Sequence, residues 1–265
     1  NSLYALHSVE QPAITAVPLE GKMSESNCFE KIILVARPAA GKSEIIAYLK
    51  ALPLSERRDE FHINQIEEID DFPMLWTWFE EDEILETMGY PRLHSDADGY
   101  FLGDHLWNVL IRRMCLEYDK KRRDNPDYHT NITSLIEFSR GSQHGGYSTA
   151  FRNLSTQVLH HAAVLYVNVS WSESLRKNRK RFNPEKPDSI LEHSLPDKKL
   201  EFMYKEDDWH MLAPQSEGFL KIDDHDIPYV VFENEDDVTS AGDALLGKRL
   251  KSGLSQLWNL YTQAR

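Results

Sequence analysis

The eight residues Ala36–Ser43, read as ARPAAGKS, constrain this chain more than any other stretch. An apolar run, Lys31-Ile32-Ile33-Leu34-Val35, leads into them, and a helical pattern, Glu44-Ile45-Ile46-Ala47-Tyr48-Leu49-Lys50, leads out. Strand, tight loop and helix in that order are the context that a phosphate-binding loop needs. The first N–H groups of a helix have no partner within it and carry partial positive charge, so a polyphosphate can rest on them. Lys42 is then placed to reach the β- and γ-phosphates, and the Ser43 hydroxyl to ligate Mg²⁺. Ala36 stands where glycine is usual, which the backbone tolerates if its φ stays below zero. Pro38 lacks an N–H, so the donors must follow it. The nucleotide-binding set is Ala36, Arg37, Pro38, Ala39, Ala40, Gly41, Lys42, Ser43 and Glu44. The alternative is an ordinary strand-to-helix turn with a surface lysine.

The 265 residues, 41% hydrophobic and 28% charged, are ordinary for a globular protein. A formal net charge of −13 argues against general nucleic-acid binding. No apolar run is long enough to span a membrane, and no secretion pattern opens the chain. Cys28 and Cys115 make neither a disulfide framework nor a metal cluster, so a reducing, cytoplasmic setting is expected. Residues 1–27 show little periodicity and read as a poorly fixed arm, native or added. Residues 28–265 read as one domain.

Along that domain, strands alternate with helices. Strands are expected at 31–35, 61–66, 132–136, 163–169 and 229–232, and helices at 42–51, 147–162, 197–211 and 240–262. The stretch 72–130 reads as helical, with Leu106, Leu110 and Met114 beside Trp107, Ile111 and Cys115 at helical spacing. This alternation predicts an α/β fold of three layers, a parallel five-stranded sheet with helices on both faces. Ligands then bind beyond the carboxyl ends of the strands.

The residues at those strand ends are chemically consistent with one another. After the second strand come Glu67, Glu68, Asp70 and Asp71; at the third stand Glu137 and Arg140. The stretch 176–181 holds five cations in six positions, and helical spacing groups Arg176, Arg179 and Lys180. Carboxylates and cations around a polyphosphate suit phosphoryl transfer, which is mainly positioning and charge neutralisation. Glu137 is placed to hold hydrated Mg²⁺, or to pair with Arg140. The cation run is a phosphate clamp beneath a proline-containing flap, or a solvated helix face. Trp76, Trp78, Tyr100 and Phe101 either stack on a planar substrate or belong to the core. His144-Gly145-Gly146 permits close backbone approach, or is a flexible loop. Asp96-Ala97-Asp98-Gly99 lacks the acidic positions of a calcium loop.

With these residues in place, the chain resembles the P-loop small-molecule kinases, nearest to the deoxynucleoside kinase and thymidylate kinase group. The phosphate loop carries the resemblance, as do DFPMLW (71–76) and VNVSWSESLRKNRKRF (167–182). The resemblance implies a P-loop NTPase fold with an arginine-bearing lid at 172–200 and an acceptor-binding helical insertion at 72–130. It implies that Asp71, or Asp70, is the general base and that Trp76 lies beside the acceptor. It also implies phosphate contacts from Arg176, Arg179 and Arg181. EFSRG (137–141) is similar to an acidic-arginine-serine signature but differs in order, and it extends the comparison to Glu137 and Arg140. The implied activity is Mg-ATP-dependent phosphorylation of a nucleoside, a nucleotide or another small hydroxyl-bearing metabolite. The expected cofactors are ATP and Mg²⁺, and the partner is a small-molecule acceptor, with no nucleic acid and no membrane. Monomer and homodimer both remain open. The rival reading is a P-loop ATPase or nucleotide switch that acts on a protein partner. The chain lacks both the Asn-Lys-x-Asp stretch of guanine-reading switches and the Ser-Gly-Gly signature of transport ATPases.

Overall fold

The computed structural model describes residues 27–181, 185 and 194–265. The expected arm at 1–27 lies outside the described residues except for Asn27, as does much of the flap after Arg181. In chain order the elements are β1 (Lys31–Ala36), α1 (Lys42–Ala51), α2 (Leu54–Phe61), β2 (Gln65–Asp70), α3 (Phe72–Thr87), α4 (His105–Asp124), α5 (Tyr128–Asn131), β3 (Ile132–Phe138), α6 (Gly146–Asn153), α7 (Thr156–Leu159), β4 (Ala162–Asn168), α8 (Trp171–Arg181), α9 (Asp197–Tyr204), α10 (Trp209–Leu212), β5 (Glu217–Ile222), β6 (His225–Glu233), α11 (Val238–Ala241) and α12 (Ala244–Ala264).

One sheet runs through the molecule in the order β2-β3-β1-β4-β6-β5. β1 is central, apolar and buried along its whole length, which suits a strand covered on both faces. Its side chains alternate. Ile33 and Val35 join a core under α4, α6 and α7, whereas Ile32, Leu34 and Ala36 join a second core under α1 and α12. The three layers are therefore helix, sheet, helix. Among the described residues no helix is long and apolar enough to cross a membrane.

The sheet corrects the expected count and direction of strands. Among the described residues it has six strands rather than five, and β5 runs antiparallel to β6. β5 is a half-exposed edge strand with a weak apolar signal. The two residues between β5 and β6 leave room only for a hairpin, and Asp223 takes the left-handed conformation at φ 50° there. The second strand also moves, from 61–66 to Gln65–Asp70. Phe61 closes α2 instead, and His62 caps that helix at φ 56°. The expected helices at 147–162 and 197–211 are each broken in two, at Leu154–Ser155 and at 205–208.

β1 and β3 lie side by side, but their outgoing connections run in opposite directions, β1 to β2 and β3 to β4. Such a reversal opens a crevice at the carboxyl ends of the two strands. A third apolar cluster walls it: Trp107 and Leu110 of α4 meet Leu200, Met203 and Tyr204 of α9, with Leu75 and Trp78 of α3 against them. The far loop of this wall is tied down by Asp82. It accepts hydrogen bonds from Leu93 N (2.7 Å), Ser95 N (2.6 Å) and Ser95 Oγ (2.7 Å). Burial alone would push this carboxyl up, but the donors hold it at about 2.

Candidate active site

The loop between β1 and α1 folds as a tight cradle. Ala36 ends β1 and is not among the positive-φ residues, so glycine is not needed there. Two left-handed residues bend the chain: Ala39 at φ 57° and Gly41 at φ 113°. At Gly41 only glycine fits, because a Cβ would lie 2.5 Å from Thr239 Oγ1 and 2.8 Å from Asn234 Nδ2. Asn234 in turn donates to Ala40 O (2.7 Å) and to Thr239 Oγ1 (2.8 Å). Helix α1 then starts with no side chain capping it, which leaves its first amides for a ligand.

Arg37, though part of the loop, turns away from the cradle. Its guanidinium donates to Val169 O (3.1 Å), Tyr204 O (3.3 Å) and Lys205 O (3.2 Å), and pairs with Asp207 at 2.7 Å. Pro38 O accepts a hydrogen bond from Ser174 Oγ (2.8 Å). The loop is therefore anchored from behind to β4, α8 and α9.

A cleft of about 510 Å³ opens in front of it, lined by the loop from Pro38 to Glu44 and by Asp70, Asp71, Glu137 and Arg140. Lys42 Nζ crosses the cleft to Ser139 Oγ at 2.9 Å. Sheet register makes Asp70 and Glu137 direct neighbours at the ends of β2 and β3. Glu137 is 7% exposed and has neither hydrogen bond nor ion pair among the described residues. Burial pushes its carboxyl up, opposed by Lys42 and reinforced by Asp71. Asp70 is likewise pushed up, to about 8, by burial and by the charges of Glu137 and Asp71. Two buried like charges side by side favour keeping a proton between them. Asp70 Oδ1 accepts from Phe72 N (3.0 Å), the turn into α3, and Oδ2 has no donor among the described residues.

Asp71 and Arg140 form a buried pair at 2.6 Å. Arg140 also donates to Ser139 O (2.7 Å) and Trp107 O (3.2 Å), and lies over the Trp107 ring at 5.1 Å. His144 stacks on the other side of this assembly, its ring 3.9 Å from that of Trp107. Burial, and then Arg140, lower its imidazole to about 3, so it is neutral.

The cation run divides by helix face. Lys177, Lys180 and Arg181 line the cleft. Lys177 is buried and held by Thr239 Oγ1 (3.0 Å) and Asp237 (2.7 Å). Arg176 pairs with Glu173 (2.6 Å) and Asp237 (2.7 Å), and Arg179 with Asp197 (2.6 Å); neither lines the cleft. Trp76 donates to Glu80 (3.0 Å) on the exposed side of α3, and Tyr100 packs on Phe202 and Lys199. The aromatic wall consists instead of Phe72, Trp107, Phe138 and Tyr204. Sequence reasoning does not single out Ser139, Trp107, Tyr204, Asn234 or Thr239. Only Ser139 carries a sequence signal, lying between Glu137 and Arg140 in EFSRG.

Two solved structures show distant likeness. An unliganded sugar kinase from Janibacter sp. is 12% identical, with 88% of this chain and 95% of that chain covered and a TM-score of 0.41. Kti12 from Chaetomium thermophilum, in complex with ADP-AlF3, is 14% identical, with 87% and 98% covered and a TM-score of 0.47. No protein-family model and no curated protein sequence matches the chain. Likenesses this distant assign no activity, so the chemistry has to come from the cleft itself.

Proposed function

We propose that this chain is a Mg-ATP-dependent phosphotransferase. Its acceptor is a small hydroxyl-bearing metabolite such as a nucleoside or nucleotide, as the resemblance to the deoxynucleoside and thymidylate kinases suggests. The observation that carries this reading is the meeting of an uncapped helix start, Lys42, and the Asp70–Glu137 pair in one cleft. Such a cleft can hold a triphosphate tail on one side and a hydroxyl on the other.

The chain's groups then have separate roles. The amides of the loop and Lys42, released from Ser139, neutralise the β- and γ-phosphates. Asp70, with its open Oδ2, takes the proton of the acceptor hydroxyl. Asp71 serves a different purpose, holding Arg140 in the cleft wall. Lys180 and Arg181 offset charge that develops on the transferred group. Helices α3 and α4 of the 72–130 insertion shape the acceptor side, and α8 belongs to the lid. The Ser43 hydroxyl and the unpartnered Glu137 carboxylate are hard oxygen donors that suit Mg²⁺. Held by Ser43 and Glu137, Mg²⁺ would supply positive charge against the phosphates of ATP.

The test is an ADP-release assay with purified protein, Mg-ATP and a panel of nucleosides, nucleoside monophosphates and sugars. Release that depends on one acceptor class supports the phosphotransferase. Full release with no acceptor present assigns an ATPase coupled to a protein partner instead.

A further inference from the structure

Beyond Asp70 and Glu137 the cleft continues into a groove of about 870 Å³ between α1, α3 and α4. Its charge is lopsided. Glu68, Asp70, Asp71, Glu81, Glu117 and Glu137 line it, against the cations Lys50, Arg113 and Arg181. Lys50 is already paired with Glu68. Arg181 sits at the junction with the phosphate cleft, which it also lines. Arg113 stands exposed at the mouth, one helical turn before Glu117. Arg140, the arginine best buried near the groove, already serves Asp71, Ser139 O and Trp107 O. Glu137 is more than nine-tenths buried, faces the groove, and lacks any hydrogen-bond donor among the described residues. The remaining wall is mostly apolar, with Phe72, Pro73, Met74 and Trp78 on one side and Leu110 and Met114 on the other, Ser43 and Thr77 being its polar residues.

Recognition of a phosphate ester calls for a fork of unengaged arginine or lysine donors. The described part of this groove offers no such fork: one exposed arginine, Arg113, stands alone among carboxylates and mostly apolar side chains. From this we infer that the acceptor is not anionic: it is a hydroxyl compound with an apolar or planar body and no phosphate or carboxylate of its own. The inference rests on the phosphotransferase reading and narrows it to unphosphorylated acceptors. A monoester in this groove would lie among like charges, and such juxtaposition discriminates strongly. A hydroxyl donor would satisfy the open Asp70 Oδ2.

The experiment compares matched pairs, each a hydroxyl compound and its phosphate monoester, by acceptor-dependent ADP release at saturating Mg-ATP. The unphosphorylated member should show a kcat/KM higher by about tenfold or more. Equal or faster turnover of the monoester overturns the inference while leaving the phosphotransferase reading intact. ADP release indifferent to every acceptor overturns that reading, and the inference with it. A second arm uses the exposed rim in a Glu81→Lys/Glu117→Lys double variant. The ratio of monoester to parent turnover should rise by about tenfold; an unchanged ratio overturns charge as the discriminator.

Discussion

The two ends of the sheet both bury ionisable groups, yet they treat them differently. At the amino end Lys31 is fully buried, but its amine donates to Tyr118 Oη (3.0 Å) and meets Glu30 at 3.5 Å. Tyr118 in turn contacts His129 (2.8 Å), and Glu30 contacts His161 (3.1 Å) and Arg265 (3.2 Å). At the carboxyl end Lys42 reaches only a serine hydroxyl, and Glu137 has no partner among the described residues. At the first end Lys31, Glu30, Tyr118, His129 and His161 satisfy one another, and only Arg122 Nε beside them is left without a hydrogen-bond partner among the described residues. The second leaves charge uncompensated around an open cleft, where a ligand can supply what is missing. Buried charge by itself therefore does not mark a site; unmet buried charge beside a cavity does.

Substitutions at the two ends should separate these roles. The largest effect is expected for Lys42→Ala, with ATP-dependent transfer reduced by about 10³-fold or more while the melting temperature moves by no more than about 2 °C. ADP release and a thermal melt check both, and undiminished turnover would break the contrast. Next comes Asp70→Asn, with kcat lowered by about 10²–10⁴-fold, as for loss of a general base. Asp71→Asn acts through Arg140 and should cost less in kcat; equal losses would return the base role to Asp71. Glu137→Gln should lower turnover by about 10²-fold yet leave stability unchanged or raised by about 1 kcal/mol, because it removes a buried, unpaired charge.

At the other end, Lys31→Ala should reverse that pattern. Folding stability falls by about 2 kcal/mol in a denaturant titration as a cavity opens and Tyr118 loses its donor, while turnover stays within about twofold. Loss of activity in a stable Lys31→Ala protein would undo the distinction between the two ends. The smallest effect is a pH dependence. Burial, partly offset by Glu30, lowers the Lys31 amine to about 8 from 10.5. Between those values the unfolded chain holds a proton that the folded chain does not, so stability rises with pH across that window. Below pH 8 the penalty is present in full. The wild type should therefore gain on Lys31→Met by about 1 kcal/mol between pH 8 and 9. A difference that is flat or falls over that range refutes the assignment.

Much of this was legible in the chain before folding. β1, the loop and α1 follow from a continuous apolar run, a glycine before lysine, and helical spacing, all within 21 bonded residues from Lys31 to Ala51. The strand that carries Glu137 is expected at 132–136 and runs two residues further, to Phe138. The apolar pattern at 61–66 is no strand before Gln65 because Phe61 and Ile63 belong to the core beneath α1 and α12. The edge strand β5 went unread because an edge buries too little side-chain surface to show a pattern.

Sequence alone determined the tight loop between β1 and α1 and the acidic character of what surrounds it, since both depend on neighbours along the chain. Which cations face the cleft was decided only by tertiary packing. Spacing correctly puts Arg176 and Arg179 together on α8, but spacing carries no information about the rotation of the helix. That rotation is set by burying Ser174, Lys177 and Asn178, so the cleft receives Lys177, Lys180 and Arg181. The aromatic wall is a similar case. Trp76 and Trp107 have the same chemistry, and only the packing of α3 and α4 against α9 leaves the first on an outer face and lays the second against Arg140.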